Sequence, residues 1–175
     1  SHGFVGKALE GFQFAGIISL QTGHPFDVFS STDSERTGLS NRADVVGNPF
    51  APGDNSAAAA ASGNKVFFTN TTAFDQPPYG RAGNIGRNHY YGPNYLNFDM
   101  SVAKKMKLTE RLGLETRFEA FNVFNHPQFT NPGADVATNG NLVGSPIFGQ
   151  IVSTITRSDG TTSARQMQVA MKLTF

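Results

Sequence analysis

Apolar and polar residues alternate with a period of two in four segments of the chain, a pattern that predicts four long β-strands. The first covers residues 11–22 and continues through PFDVF to about Phe29. Phe12, Phe14, Ile18 and Leu20 share one face and Gln13, Ser19 and Gln21 the other, with Ala15 and Ile17 blurring the division. The second, 95–106, sets Leu96, Phe98, Met100 and Val102 against Asn97, Asp99, Ser101 and Lys105. The third, 112–124, sets Leu112, Leu114, Phe118, Ala120 and Phe124 against Glu115, Arg117 and Glu119. The last, 165–175, alternates most cleanly: Met167, Val169, Met171, Leu173 and Phe175 interleave with Gln166, Gln168, Ala170, Lys172 and Thr174.

Two long stretches separate these segments. Residues 30–94 are irregular, with a run of alanines at 57–61 and the breakers Asn48-Pro49, Pro52-Gly53 and Pro77-Pro78; only KVFFT at 65–69 reads as a short strand. Residues 125–164 form the second stretch, strand-like only in FGQIVSTIT, 148–156. Loops this long are unusual in a compact soluble domain but ordinary on the outer face of a membrane barrel.

The connection between the second and third segments carries a register constraint. Facing residues of an antiparallel pair point the same way, so paired numbers must sum to an even value if the faces are to match. A three-residue turn at Thr109, Glu110 and Arg111 places Lys105 opposite Glu115 and Met106 opposite Leu114. A five-residue turn keeps the faces but opposes Asp99 to Glu119, two like charges.

Composition narrows the class. Charged residues make up 15 % of the 175, Gly and Pro number 19 and 9, Phe 16, and Trp and Cys are absent. This is a profile of strands and turn-rich loops, not of helices. Without Cys there is neither a disulfide nor a thiolate metal site. The net charge of +1 gives no pull toward nucleic acid. No apolar run is long enough for a transmembrane helix. The chain starts at Ser1-His2 with neither Met nor a signal peptide, and is read as a fragment whose N-terminal bulk is missing.

Strands of about ten residues with one apolar and one polar face suit a transmembrane barrel. A soluble sandwich gives the same alternation, because one face meets the core and the other water. Three ionisable groups on one face, Glu115, Arg117 and Glu119, do not fit a dry core unless each is paired, whereas a wet lumen accepts them. The short turn, long loops and apolar terminal residue favour the membrane.

GFQFAGIISLQTGHPFDV, GNIGRNHYYGPNYLNFDMSVAKKMKLTERLGLETRFEAFNVFNHPQF and RQMQVAMKLTF resemble the C-terminal barrel strands of TonB-dependent receptors. The resemblance covers nearly the whole chain and is nearest to the Oar-like, carboxypeptidase-regulatory-domain type abundant in Acidobacteria. FNVFNHPQF, 121–129, is similar to the "NLF" signature that closes the penultimate strand of that superfamily. The resemblance implies an all-β fold: an antiparallel transmembrane β-barrel fragment of about four long strands plus two long extracellular loops, an open sheet when isolated. It implies residence in the outer membrane of a diderm bacterium, as part of a 22-stranded barrel around a plug, taking up a scarce solute of the siderophore, glycan or peptide class. The partners implied are outer-membrane lipid, the barrel-assembly machinery, and the TonB complex through a missing N-terminal region. No TonB box, plug or regulatory domain is visible in this stretch. Met167, Val169, Met171, Leu173 and Phe175 resemble the terminal signal read by the assembly machinery. The alternatives are a passive porin or structural barrel, and a soluble secreted β-sandwich of adhesion or sugar-binding type.

The lumen-facing set is expected to be Asp99, Lys105, Glu115, Arg117, Glu119, Gln168 and Lys172. The ligand-contacting set is expected in the outer loop between Asn84 and Asn94: Arg87, Asn88, His89, Tyr90 and Tyr91, because Tyr offers stacking and a hydroxyl at low entropic cost. No cofactor or metal is expected, since His2, His24, His89 and His126 are scattered. Asp33, Glu35, Asp44 and Asp54 read as solvated loop carboxylates. GRAGNIG around Gly80, Gly83 and Gly86 lacks phosphate-loop spacing. Lys104, Lys105 and Lys107 read as a basic rim. No nucleophile–base grouping is present, so the chain is not expected to be an enzyme.

Overall fold

The computed structural model describes residues 10–39, 41–134, 139–156, 160 and 163–175. The chain divides into two compact units. The first comprises Ser1–Leu20, Leu96–Pro127 and Thr156–Phe175, and the second Gln21–Tyr95 with Gln128–Ile155.

The first unit is an antiparallel sheet of the four long strands, β1 (Phe12–Gln21), β7 (Tyr95–Lys107), β8 (Gly113–Phe121) and β10 (Gln166–Thr174), in the order β1-β7-β8-β10. Their lengths of 10, 13, 9 and 9 residues fit the ~9–11 residues that a tilted strand needs to cross a bilayer. The sheet is open: β1 and β10 are its edges, each with one side unpaired within it. At the β7–β8 turn the carbonyl of Leu112 accepts N–H bonds from Leu108 (2.8 Å) and Thr109 (3.1 Å), which leaves Thr109, Glu110 and Arg111 as the turn. The register is Lys105 opposite Glu115 and Met106 opposite Leu114, as charge and parity require.

β8 stops at Phe121 rather than running to Phe124. Asn122 and Asn125 both take φ 52°, a left-handed conformation that Asn tolerates better than most residues. The buried Asn122 side chain then binds the turn it creates. Its Nδ2 donates to the carbonyls of His126 (2.8 Å) and Ser163 (2.6 Å), and its Oδ1 accepts from the His126 N–H (3.0 Å). Asn125 Oδ1 accepts from the Arg165 N–H at 3.0 Å, just before β10 begins. The NVFNH sequence is thus a knot joining the end of β8 to the start of β10.

The first predicted segment also ends early. β1 stops at Gln21, and Pro25–Phe26 form a separate short strand, β2, paired with β6 (Tyr90–Tyr91). A Cβ at Gly23 would lie 1.8 Å from the Gly92 carbonyl oxygen, so the chain crosses there where only glycine fits. Pro25 lacks the N–H to continue a ladder.

The second unit corrects the expectation of two irregular loops. Its described residues form three short antiparallel pairs: β2–β6, β3 (Asp44–Val45) with β5 (Phe74–Asp75), and β4 (Lys65–Val66) with β9 (Gln150–Ile151). The alanine run, unassigned from the sequence, is a helix, α1 (Asn55–Ser62). Alanine is the strongest helix former, and Gly63 at φ 72° ends it. Phe68, fully buried, is ringed by Phe26, Phe50, Phe67, Phe74, Tyr90 and Phe148 at centroid distances of 4.8–6.1 Å. Buried amides tie the two sequence stretches together. Asn55 Nδ2 donates to the carbonyls of Phe68 and Phe148, both at 2.9 Å, and Gln150 Nε2 donates to Asn55 Oδ1 at 3.0 Å.

Candidate functional site

The sheet has two chemically distinct faces, set by strand parity. On one lie Phe12, Phe14, Ile18 and Leu20 of β1, Leu96 of β7, Phe118 of β8, and Met167, Val169, Met171 and Leu173 of β10, all exposed. So continuous an apolar surface marks contact with an apolar partner. Phe175, beyond the last strand pair, is 94 % exposed.

The other face carries the predicted lumenal set. The ladder pairs Lys105 with Glu115 and Glu115 with Lys172, so one carboxylate lies between two lysines across three strands. One row further along, Arg117 lies between Ala103 and Ala170, whose small side chains leave it room. Its guanidinium reaches along its own strand to Glu115 at 3.2 Å and Glu119 at 3.7 Å. In the next row Glu119 faces Gln168, which donates to it, and Ser101. Lys105 Nζ stands 3.9 Å from Glu115. These groups are partly open to solvent, so the pairs add little stability. What they build is a hydrated band of alternating charge.

Asp99 has the same parity but a different role. One of its oxygens accepts from Asn97 Nδ2 and from the Asn122 N–H, each at 2.8 Å. It fastens β7 to the NVFNH knot, a role that the expectation of a lumen-facing carboxylate did not include. The Lys104-Lys105-Lys107 group is not one patch. Lys105 and Lys107 share the parity of the charged face, whereas Lys104 shares that of the apolar face. Its Nζ lies 4.6 Å from the centroid of the Phe12 ring.

In the second unit the structure divides the predicted ligand-contacting set. Tyr90 is 8 % exposed and packs edge-on to Phe68 and Phe74; burial raises its hydroxyl pKa. It is a core residue, and this corrects its placement on a contact surface. The neighbouring backbone is pinned by the Asn88 N–H donating to Asp27 at 2.6 Å. Arg87, Asn88, His89 and Tyr91 are exposed.

Three of the loop carboxylates are clasps rather than free charges. Asp44 is 4 % exposed and takes both Arg81 terminal nitrogens, at 2.9 and 2.5 Å, with the Asn84 N–H at 2.8 Å. Hydrogen bonding to Arg81 holds its carboxyl below the usual range. Asp54 accepts from the Thr71 hydroxyl and N–H, and Asp33 from the N–H groups of Gly38 and Thr37; both carboxyls are lowered by these bonds. Among the described residues no three His, Asp or Glu side chains gather in a metal-binding group. His2 lies outside the described residues.

Residues 1–168 match a family model described as an outer membrane beta barrel domain. No curated protein and no solved structure gives a significant match.

Proposed function

The chain belongs to the outer membrane beta barrel domain family and resides in the outer membrane, and from that membership we propose that it forms the C-terminal wall of a TonB-dependent transporter of the Oar-like type. In this reading it admits a scarce solute of the siderophore, glycan or peptide class to the periplasm and is not a catalyst. Membrane barrels have short periplasmic turns and longer outer loops. The three-residue turn at 109–111 therefore belongs in the periplasm, and the stretches 21–95 and 128–155 belong outside the cell. The charged face lines the lumen and the apolar face meets lipid. The TonB complex is engaged through a region outside this chain.

The observation that favours a transporter over a passive pore is the second unit. An aromatic core and buried amides hold its backbone, so its exposed side chains are presented in fixed positions. Preorganisation of this kind raises affinity for a ligand, and a passive pore has no use for it. Recognition is assigned to the exposed Arg87, His89 and Tyr91, with Tyr90 supporting them from the core.

Solute uptake by cells producing the whole protein tests this. Uptake is expected to stop when the proton-motive force is dissipated or TonB is removed. Tyr91→Ala is expected to weaken solute binding roughly tenfold, the size of an interface aromatic's truncation. Uptake that continues without energy would mean a passive pore. Unchanged affinity in Tyr91→Ala would place recognition on another surface.

A further inference from the structure

An arginine in the second unit has a backbone conformation that suits glycine. Arg36 takes φ 55°, in the left-handed region where Cβ crowds the carbonyl and which few residues other than glycine occupy. Such strain persists only where the surroundings impose it. Here residues 33–38 wind around one side chain. The Asp33 carboxylate accepts from the N–H groups of Thr37 (3.1 Å) and Gly38 (2.7 Å), and the Arg36 N–H donates to the Asp33 carbonyl at 3.2 Å. The buried Ser34 locks this loop to another. Its carbonyl accepts from the Gly80 N–H at 2.9 Å, and its hydroxyl donates to the Arg81 carbonyl at 2.7 Å.

The lock sets Arg36 against Tyr79. The guanidinium carbon stands 5.4 Å from the centre of the Tyr79 ring, over its face, within reach of a cation–π attraction. Both side chains are exposed, Tyr79 by 72 %. Among the described residues no carboxylate lies within ion-pair distance of Arg36. Asp33 and Arg81, beside the lock, are committed elsewhere: Asp33 to N–H groups, Arg81 to Asp44 through both terminal nitrogens. A strained, ring-backed arginine is thus presented to the solvent.

Shape and charge select its ligand. A guanidinium is a flat fork that meets a flat carboxylate through two parallel hydrogen bonds. One arginine balances the single charge of a carboxylate, whereas a phosphate monoester carries up to two. We propose that Arg36 and Tyr79 form a clamp for a carboxylate group of the arriving solute, with the guanidinium gripping both oxygens and the ring holding the guanidinium flat. The clamp rests on the reading of the second unit as the outer recognition surface, and gives its solute a chemical class.

Fluorine NMR line broadening of para-fluorobenzoate, with the whole protein extracted in detergent, tests the clamp. The neutral para-fluorobenzamide and para-fluorophenyl phosphate are compared with it. The benzoate is expected to bind in preference to both. Arg36→Gly is the decisive variant, because glycine relieves the strain while removing the fork. It should unfold at an equal or higher temperature and bind the benzoate at least about tenfold more weakly, the loss of a charge-assisted hydrogen bond. Arg36→Lys, a point charge without the fork, should also bind more weakly, and so should Tyr79→Leu. Wild-type binding by Arg36→Gly or Arg36→Lys would overturn the proposal. So would equal binding of the benzamide, or tighter binding of the phosphate. The binding is read without energy or transport, so the two readings fail separately. Uptake that needs no TonB would sink the transporter alone, and unchanged binding in Arg36→Gly would sink the clamp alone.

Discussion

Replacing Phe175 by Ala in the whole protein is expected to remove most of it from the outer membrane while barely changing the stability of the barrel that does assemble. The two effects separate because Phe175 makes little contact in the folded sheet. It lies one residue beyond the last pair, Thr174 with Gly113, and is 94 % exposed. Truncating it in the finished barrel costs at most the transfer of one partly buried ring, roughly 1–3 kcal/mol. Before the barrel exists the balance differs. Among the described residues β10 pairs with β8 alone and leaves its other edge open, which is the edge a partner can extend by strand addition. On the proposal that the barrel-assembly machinery reads this strand, the apolar row of Met167, Val169, Met171 and Leu173 with the aromatic Phe175 would offer it alternate side chains to grip. Surface abundance measured beside thermal unfolding of the extracted barrel checks this. Normal abundance, or a loss matched by a large fall in unfolding temperature, would count against an assembly role.

Phe68→Ala is expected to unfold the second unit and spare the sheet. The ring is fully buried, with Phe74, Phe67 and Tyr90 within 4.9 Å of its centroid. Removing a buried Phe costs about 3–5 kcal/mol, a large part of what a small unit possesses. Phe50→Ala, at a ring that is 55 % exposed, should cost far less. Hydrogen exchange on the extracted protein reads both. Phe68→Ala should deprotect β4, β5 and β9 together and leave β7, β8 and β10 as slow as before. Protection lost equally from the long strands would show the two units to be one cooperative structure.

The sheet was legible because each strand has a lipid face and a water face, so parity carries the fold. The β7–β8 register followed from parity and the avoidance of Asp99 opposite Glu119. The same parity, applied to Lys104, separates it from Lys105 and Lys107; reading the three as a charge run hid this. The second unit was not legible. Its core residues, such as Phe26, Phe68 and Phe148, follow no period, because short strands and turns bring each in singly. Its ties, such as Asn55 with Gln150, join residues 95 positions apart, and no local pattern encodes a contact of that range. Tyr90 was misplaced for the same reason, since nothing in its neighbourhood distinguishes it from the exposed Tyr91.

The sheet is read as a membrane wall with lipid on one face and water on the other. Nitroxide scanning of β10 in the whole protein, embedded in bilayers, tests it most directly, and this chain has no cysteine to interfere. Single cysteines replace Gln166 to Thr174 in turn, and collision rates are measured with oxygen, which concentrates in lipid, and with a polar nickel chelate, which stays in water. Labels at Met167, Val169, Met171 and Leu173 should favour oxygen, and those at Gln166, Gln168, Ala170 and Lys172 the chelate. Equal access to both along the strand, or the opposite parity, would contradict the account.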